Sequence, residues 1–112
     1  MKITEINDIE IVFDNGNRIT YSHRPDCCES NYADFSYLED ETGIFETEFP
    51  ENIAIEPVNG TGFRFGTLCR NFFVPCYSEQ NGYYSTDIYI CYSDKDGDII
   101  SDFHLDCEEC FR

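Results

Sequence analysis

Cysteine, histidine and acidic side chains concentrate at two places in this 112-residue chain. The first is the run His23-Arg24-Pro25-Asp26-Cys27-Cys28-Glu29, which brings an imidazole, two thiols and two carboxylates within one short stretch. The second lies near the C-terminus, where Glu108 and Glu109 separate Cys107 from Cys110. Two cysteines at this spacing can occupy two corners of a zinc tetrahedron, and a histidine or a further thiol can complete it.

We therefore predict one structural zinc ion. Its candidate ligands are one imidazole and four thiols: His23, Cys27, Cys28, Cys107 and Cys110. Adjacent residues point to opposite sides of an extended chain, so the pattern favours only one of Cys27 and Cys28 as a ligand. A redox role for the C-terminal pair is disfavoured, because reactive thiols need positive neighbours and the two intervening residues are glutamates.

The other thiols have a simpler interpretation. Cys69, Cys76 and Cys91 are expected to pack as small hydrophobic side chains, although the pair Cys69 and Cys76, or His104, stays open as a further donor to the metal. The chain shows no run typical of a signal peptide or a transmembrane segment. The sequence therefore predicts a cytoplasmic protein, in which seven cysteines remain reduced.

A thiol-dependent enzyme is the alternative use of the first cluster. His23 could activate Cys28, with Asp26 orienting the imidazole. No catalytic signature accompanies these residues elsewhere in the sequence, and clustered thiols favour metal binding. We therefore predict that the protein is not an enzyme.

Net charge indicates the kind of partner. Twenty-three acidic residues against seven Lys and Arg give a formal net charge of −16, spread along the whole chain. This balance favours a basic protein partner and disfavours direct binding to nucleic acid, because few cations are present to neutralise phosphates. The candidate partner-binding carboxylates are Glu39, Asp40, Glu41, Glu46, Glu48 and Glu51, with Phe45 and Phe49 as apolar anchors among them.

Short alternating segments between turn residues must position these side chains. Asp14-Asn15-Gly16-Asn17 predicts the turn of a first hairpin, and Asp94 to Asp98 predicts the turn between a strand over 83–92 and its return over 99–105. Further strands are expected over 31–38, 52–58, 63–67 and 71–77. Pro75 in the last of these favours an edge strand or a strand end.

This pattern predicts the fold class. We expect a single domain over residues 1–112, mainly β, built as a twisted antiparallel sheet or a partly closed barrel with at most one short helix. An α+β fold is the alternative.

The stretch His23 to Glu29 resembles a family of small bacterial and phage proteins of unknown function. Their mark is His-x-x-Asp-Cys-Cys-Glu followed by Tyr and an acidic strand, here His23, Asp26, Cys27, Cys28 and Glu29, then Tyr32 and Asp34. The likeness continues in Asn81-Gly82-Tyr83-Tyr84-Ser85. The C-terminal Cys-x-x-Cys is not part of that pattern.

By type, a small, acidic, cysteine-rich domain looks like the phage anti-CRISPR proteins, including the type II-A inhibitors of Cas9, some of which are metalloproteins. The resemblance implies a protein that blocks a Cas9-type nuclease, whose channel for the guide–target heteroduplex is positively charged. An immunity or structural domain of a mobile element is the remaining alternative.

Overall fold

The computed structural model describes residues 1–22, 30–58, 60–79 and 87–106. These ranges contain nine strands and one 3-10 helix, Phe35–Asp40. The strands are β1 Ile3–Ile6, β2 Glu10–Phe13, β3 Arg18–Ser22, β4 Ser30–Ala33, β5 Ala54–Val58, β6 Gly62–Gly66, β7 Asn71–Glu79, β8 Asp87–Ser93 and β9 Ile99–Asp106.

All strand pairs are antiparallel, and they form two sheets. One sheet has five strands in the order β1-β2-β3-β8-β9, and the other has four in the order β4-β7-β6-β5. The predicted mainly β, antiparallel fold with one short helix is confirmed. Over the described ranges, neither sheet closes into a barrel. No helix within these ranges is long and apolar enough to cross a membrane.

The two predicted hairpins are present, and local turn chemistry explains both. In the β2–β3 turn, Gly16 has φ +91°, a conformation that glycine adopts without steric cost. A Cβ at this position would stand 2.7 Å from the Cβ of Lys95 in the β8–β9 turn, so the close approach of the two turns also requires glycine. In the second turn, the carboxylate of Asp94 accepts hydrogen bonds from the N–H groups of Asp96 and Asp98.

Alternating side chains from both sheets share one hydrophobic core. On β8, Ile88, Ile90 and Tyr92 are fully buried, as the predicted alternation requires. On β6, Phe63 is likewise buried, and its ring contacts that of Phe103 on β9 with centroids 6.1 Å apart. The inner faces of the two sheets therefore pack against each other.

Residues 39–51, which we call the acidic segment, are held to this core by Phe49. The Phe49 ring contacts Phe13 of the five-stranded sheet at 5.8 Å, and Phe65 and Phe72 of the four-stranded sheet at 5.8 and 5.9 Å. Phe49 is 2% exposed, so the expectation that it serves as an anchor for a partner is wrong. Phe45, in contrast, is 42% exposed.

Hydrogen bonds fix the C-terminal end of the acidic segment. The amine of Met1 donates to the carbonyl oxygen of Phe49 at 2.6 Å, and the N–H of Phe49 donates to the carbonyl oxygen of Met1 at 2.7 Å. The hydroxyl of Tyr92 donates to the carbonyl oxygen of Glu51 at 2.7 Å and accepts from the amide of Asn17 at 3.0 Å. Burial raises the pKa of Tyr92, so this hydroxyl stays protonated as a donor.

Pro75 lies inside β7, which is a central strand of its sheet, so the prediction of an edge strand or a strand end is wrong. The N–H of Cys76 bonds to Thr61 on the β6 side, whereas the carbonyl oxygen of Pro75 accepts from Asp34 on the β4 side at 2.8 Å. The donor that proline lacks therefore faces the point at which β4 ends. The chain leaves the sheet at Asp34, so the strand predicted over 31–38 is correct only to Ala33.

Exchanging Phe49 for alanine should destabilise the protein by about 3–5 kcal/mol, because the substitution leaves a cavity between both sheets. Denaturant unfolding measures this free energy. The matched control is Phe45→Ala in the same segment, which should cost less than about 1 kcal/mol because that ring is exposed. Equal losses in the two variants would contradict the assignment of Phe49 to the core.

Candidate functional site

The five predicted zinc ligands, His23, Cys27, Cys28, Cys107 and Cys110, lie outside the residues that the structure describes. Across the described ranges, no group of three or more His, Cys, Asp or Glu side chains is arranged to hold a metal ion. The described strand ends that lead to the predicted ligands are nevertheless informative.

Those strand ends share one end of the molecule. Ser22, which precedes the His23 stretch, pairs with Tyr89, and Tyr89 pairs with His104. Asp106, which precedes Cys107, pairs with Asp87. Because neighbouring strands lie about 4.8 Å apart, Ser22 is about 10 Å from β9.

Two strand ends of the four-stranded sheet, the start of β4 and the end of β7, lie at this same end of the molecule. Ser30 of β4 pairs with Glu79 of β7, and the side-chain amide of Asn31 donates to the carbonyl oxygen of Asp87 at 3.1 Å. The strand ends on both sides of residues 23–29 therefore lie beside the end of β9 that leads to Cys107.

The described cysteines differ in exposure. Cys76 is fully buried on the inner face of β7, as expected, and Cys91 is half-buried on the outer face of β8. Cys69 is exposed between β6 and β7, so the prediction that it packs in the core is wrong. Burial raises the pKa of Cys91, which keeps this thiol protonated and unsuited to nucleophilic attack.

His104 belongs to a polar cluster on the outer face of β8 and β9. Its ring stacks on Tyr89, with centroids 5.1 Å apart and planes inclined by 17°. The Tyr89 hydroxyl donates to Asp102, and Nδ1 of His104 lies 2.9 Å from a carboxylate oxygen of Asp87. The register of the hairpin, which pairs Tyr89 with His104 and Cys91 with Asp102, brings these side chains together.

This cluster presents hydrogen-bonding groups on the outer surface of the five-stranded sheet. The hydrogen bond to Asp102 strongly raises the pKa of Tyr89, so the phenol stays protonated at physiological pH. The imidazole of His104 is positioned by one carboxylate and one aromatic ring. Sequence reasoning named His104 as a metal donor but missed Tyr89, Asp87 and Asp102, although counting the hairpin register from Asp94 to Asp98 identifies them.

The acidic segment presents its charge outward. All six predicted partner-binding carboxylates, Glu39, Asp40, Glu41, Glu46, Glu48 and Glu51, are exposed. Apolar neighbours in the same segment, Ile44 and Phe49, are 1% and 2% exposed. The carboxylates of the segment thus face solvent, whereas Ile44 and Phe49 face the core; Phe45 is exposed among the carboxylates.

Cationic and polar groups from other parts of the chain contact this segment. The Met1 amine pairs with Glu48 at 3.1 Å, and the amide of Asn15 donates to Glu51 at 3.3 Å. Arg70, remote in sequence, donates to the carbonyl oxygen of Thr42 at 3.1 Å. Residues 39–51 contain no Lys or Arg, but the fold places the guanidinium of Arg70 beside Thr42 of this segment.

Comparison with protein families gives one match. Residues 1–90 match the model of a domain of unknown function, DUF7448. Because the match covers most of the chain, the protein belongs to this family. The matched region includes His23 to Glu29 and the acidic segment, and it ends within β8, before β9 and the C-terminal cysteines. No curated protein and no solved structure matches the chain.

Replacing Asp102 with asparagine should lower the pKa of Tyr89 toward the ordinary tyrosine value of about 10, because the substitution removes the charged acceptor that favours the protonated phenol. NMR titration of the Tyr89 ring measures this value. Since folding raises this pKa, the associated stability is present below about pH 10 and is lost as the pH rises further. Asp87→Asn, which alters the contact to His104 instead, is the control. An unchanged Tyr89 titration in Asp102→Asn would contradict the hydrogen bond.

Proposed function

We propose that this protein is a zinc-stabilised, non-enzymatic inhibitor that binds the basic surface of a nucleic-acid-handling protein. The proposed target is a Cas9-type nuclease in the cytoplasm of the host cell, which would make the protein an anti-CRISPR protein. It acts by stoichiometric occupation of the target, without direct contact to nucleic acid or membranes.

The observation that carries this proposal is the orientation of the acidic segment. Six exposed carboxylates cover one side of a segment whose other side is anchored in the core by Ile44 and Phe49. A negative surface fixed in this way needs no ordering when it meets a basic partner, so binding does not cost the entropy of ordering a loop. This favours the acidic segment as the docking surface.

Electrostatics also supports the kind of target. The formal net charge of −16 steers the protein toward positive surfaces and accelerates association at low ionic strength. A Cas9-type nuclease offers such a surface, because it holds its heteroduplex in a positively charged channel. A protein that occupies this channel competes with the nucleic acid and inhibits without catalysis.

The proposed zinc ion stabilises the end of the molecule at which the strand ends meet. Five residues lead from Ser22 to Cys27, a span of up to about 17 Å, which exceeds the separation of about 10 Å between β3 and β9. The chain lengths therefore permit a thiol from the His23 stretch and the thiols of Cys107 and Cys110 to share one ion. His23 supplies the nitrogen donor in this proposal.

Purified protein should contain about one zinc ion per chain, and the double substitution Cys107→Ser, Cys110→Ser should remove it. Because binding energy at a structural site is also folding energy, a loss of about 2 kcal/mol or more would lower the melting temperature by about 10 °C. Elemental analysis and thermal unfolding measure the two effects. The control is Cys69→Ser, Cys91→Ser, which should keep the metal. Zinc-free wild-type protein in which the thiols of Cys107 and Cys110 react freely would refute the site.

Charge reversal tests the docking surface. The triple variant Glu39→Lys, Glu41→Lys, Glu46→Lys takes the formal net charge from −16 to −10 and should slow association with the nuclease by about tenfold at low salt. Stopped-flow or surface-binding kinetics measures the rate.

A matched variant separates local from overall charge. Glu5→Lys, Asp8→Lys, Asp98→Lys makes the same change of net charge at exposed positions outside the acidic segment, and it should slow association less. Equal effects of the two variants would show that net charge alone steers binding. Inhibition of many nuclease molecules by one inhibitor molecule would refute the stoichiometric mechanism.

A further inference from the structure

We propose that the outer face of the four-stranded sheet is a docking surface for arginine side chains of a basic protein partner. This inference rests on the proposed function and names the chemical group that the partner would present. The surface, which we call the aromatic stripe, consists of Tyr32, Tyr37, Phe73 and Tyr77. It borders the acidic segment, because Tyr37 belongs to the 3-10 helix that leads into that segment.

The strand alternation of β7 places part of the aromatic stripe on the outer face. Phe72 and Val74 point into the core, so Phe73 and Tyr77 point away from it. Tyr77 pairs in register with Tyr32 of β4, and their ring centroids are 5.8 Å apart. At the other end, the ring of Phe73 meets that of Tyr37 edge to face at 6.4 Å.

The neighbouring strand β6 leaves room for these rings. A Cβ at Gly62 would stand 2.9 Å from Cζ of Phe73 and 2.1 Å from the carbonyl oxygen of Val74, so the Phe73 ring uses space that any other residue would fill. Arg64, which lies opposite Phe73 in the register, forms an ion pair with Glu56 on β5. The guanidinium of Arg64 is thus paired with a carboxylate of the same sheet.

A carboxylate accompanies the most exposed ring of the aromatic stripe. In a 3-10 helix, side chains three residues apart lie above one another. Asp40, the last residue of the helix, therefore aligns with Tyr37. Asp34 precedes the helix, and its carboxylate accepts a hydrogen bond from the hydroxyl of Ser36. Tyr37 is 49% exposed and Asp40 is exposed, whereas Asp34 is half-buried.

An exposed aromatic ring beside a carboxylate suits a guanidinium group. Arginine can stack its plane on a ring and donate hydrogen bonds to a carboxylate at the same time, and it loses hydration more readily than lysine. Charge complementarity favours the same occupant, because the chain carries a net charge of −16. Aromatic residues also supply much of the energy at protein interfaces, which the acidic segment alone would lack.

The test compares poly-arginine with poly-lysine peptides of equal length and blocked termini, titrated calorimetrically into the folded protein at low salt. Wild-type protein should bind poly-arginine more tightly. Tyr37→Ala should weaken poly-arginine binding by about two- to fivefold, the effect of one exposed cation–π contact, and should change poly-lysine binding much less. Tyr37→Phe keeps the ring and should keep the preference.

Two further variants separate stacking from charge. Asp40→Asn should weaken binding of both peptides to the same degree. Tyr89→Ala, the same exchange on the outer face of the other sheet, should alter neither. Two results would overturn the aromatic stripe but not the proposed function. One is equal affinity of the wild type for the two peptides. The other is a preference for poly-arginine that stays unchanged in both Tyr37→Ala and Phe73→Leu. If neither peptide binds, both the aromatic stripe and the proposed function are overturned.

Discussion

The packing of Phe49 between the two sheets is the contact on which the surface of this protein depends. Residues 39–51 carry six carboxylates and no cation of their own, so mutual repulsion favours their release into solvent. Burial of one phenylalanine ring against Phe13, Phe65 and Phe72 contributes several kcal/mol, more than exposed charges at these separations cost. The hydrophobic core thus fixes a strongly negative surface in one position.

Three of the arginines contact acidic, carbonyl or aromatic groups within the protein. Arg18 pairs with Glu10 at 3.2 Å, Arg64 pairs with Glu56, and Arg70 bonds to Thr42 while its guanidinium lies 5.2 Å from the ring centre of Phe72. Each of these arginines is thus engaged within its own surroundings, where it offsets repulsion locally. Exposed ion pairs of this kind contribute little stability, but they leave the remaining carboxylates to dominate the outer surface.

The sequence predicts those parts of the fold that depend on neighbours in the chain. Turn residues at Asn15-Gly16 and over 94–98 identify both hairpins, because the turn chemistry is local. The predictions for Pro75 and for a strand over 31–38 are wrong for one reason. Both depend on the residue at which β4 stops pairing with β7, and no local sequence pattern identifies that residue. Phe45 and Phe49 differ in the same way, because Phe49 is buried at a point where the chain pairs with Met1, 48 residues away in sequence.

Contacts of the candidate site also differ in how far apart their residues lie in the sequence. The Tyr89–His104 stack follows from the register of a local hairpin, whereas the Tyr32–Tyr77 contact requires the pairing of two strands that are distant in sequence. The family match ends within β8, yet Phe103 of β9 packs on Phe63 and Leu105 is buried beside Ile88 in the same core. The last strand is therefore structurally part of the sheet that the family region builds. A zinc ion shared by Cys27 or Cys28 with Cys107 and Cys110 would draw ligands from both sides of this boundary. Metal binding by His23 and the adjacent thiols alone would instead be a property that the family region carries by itself.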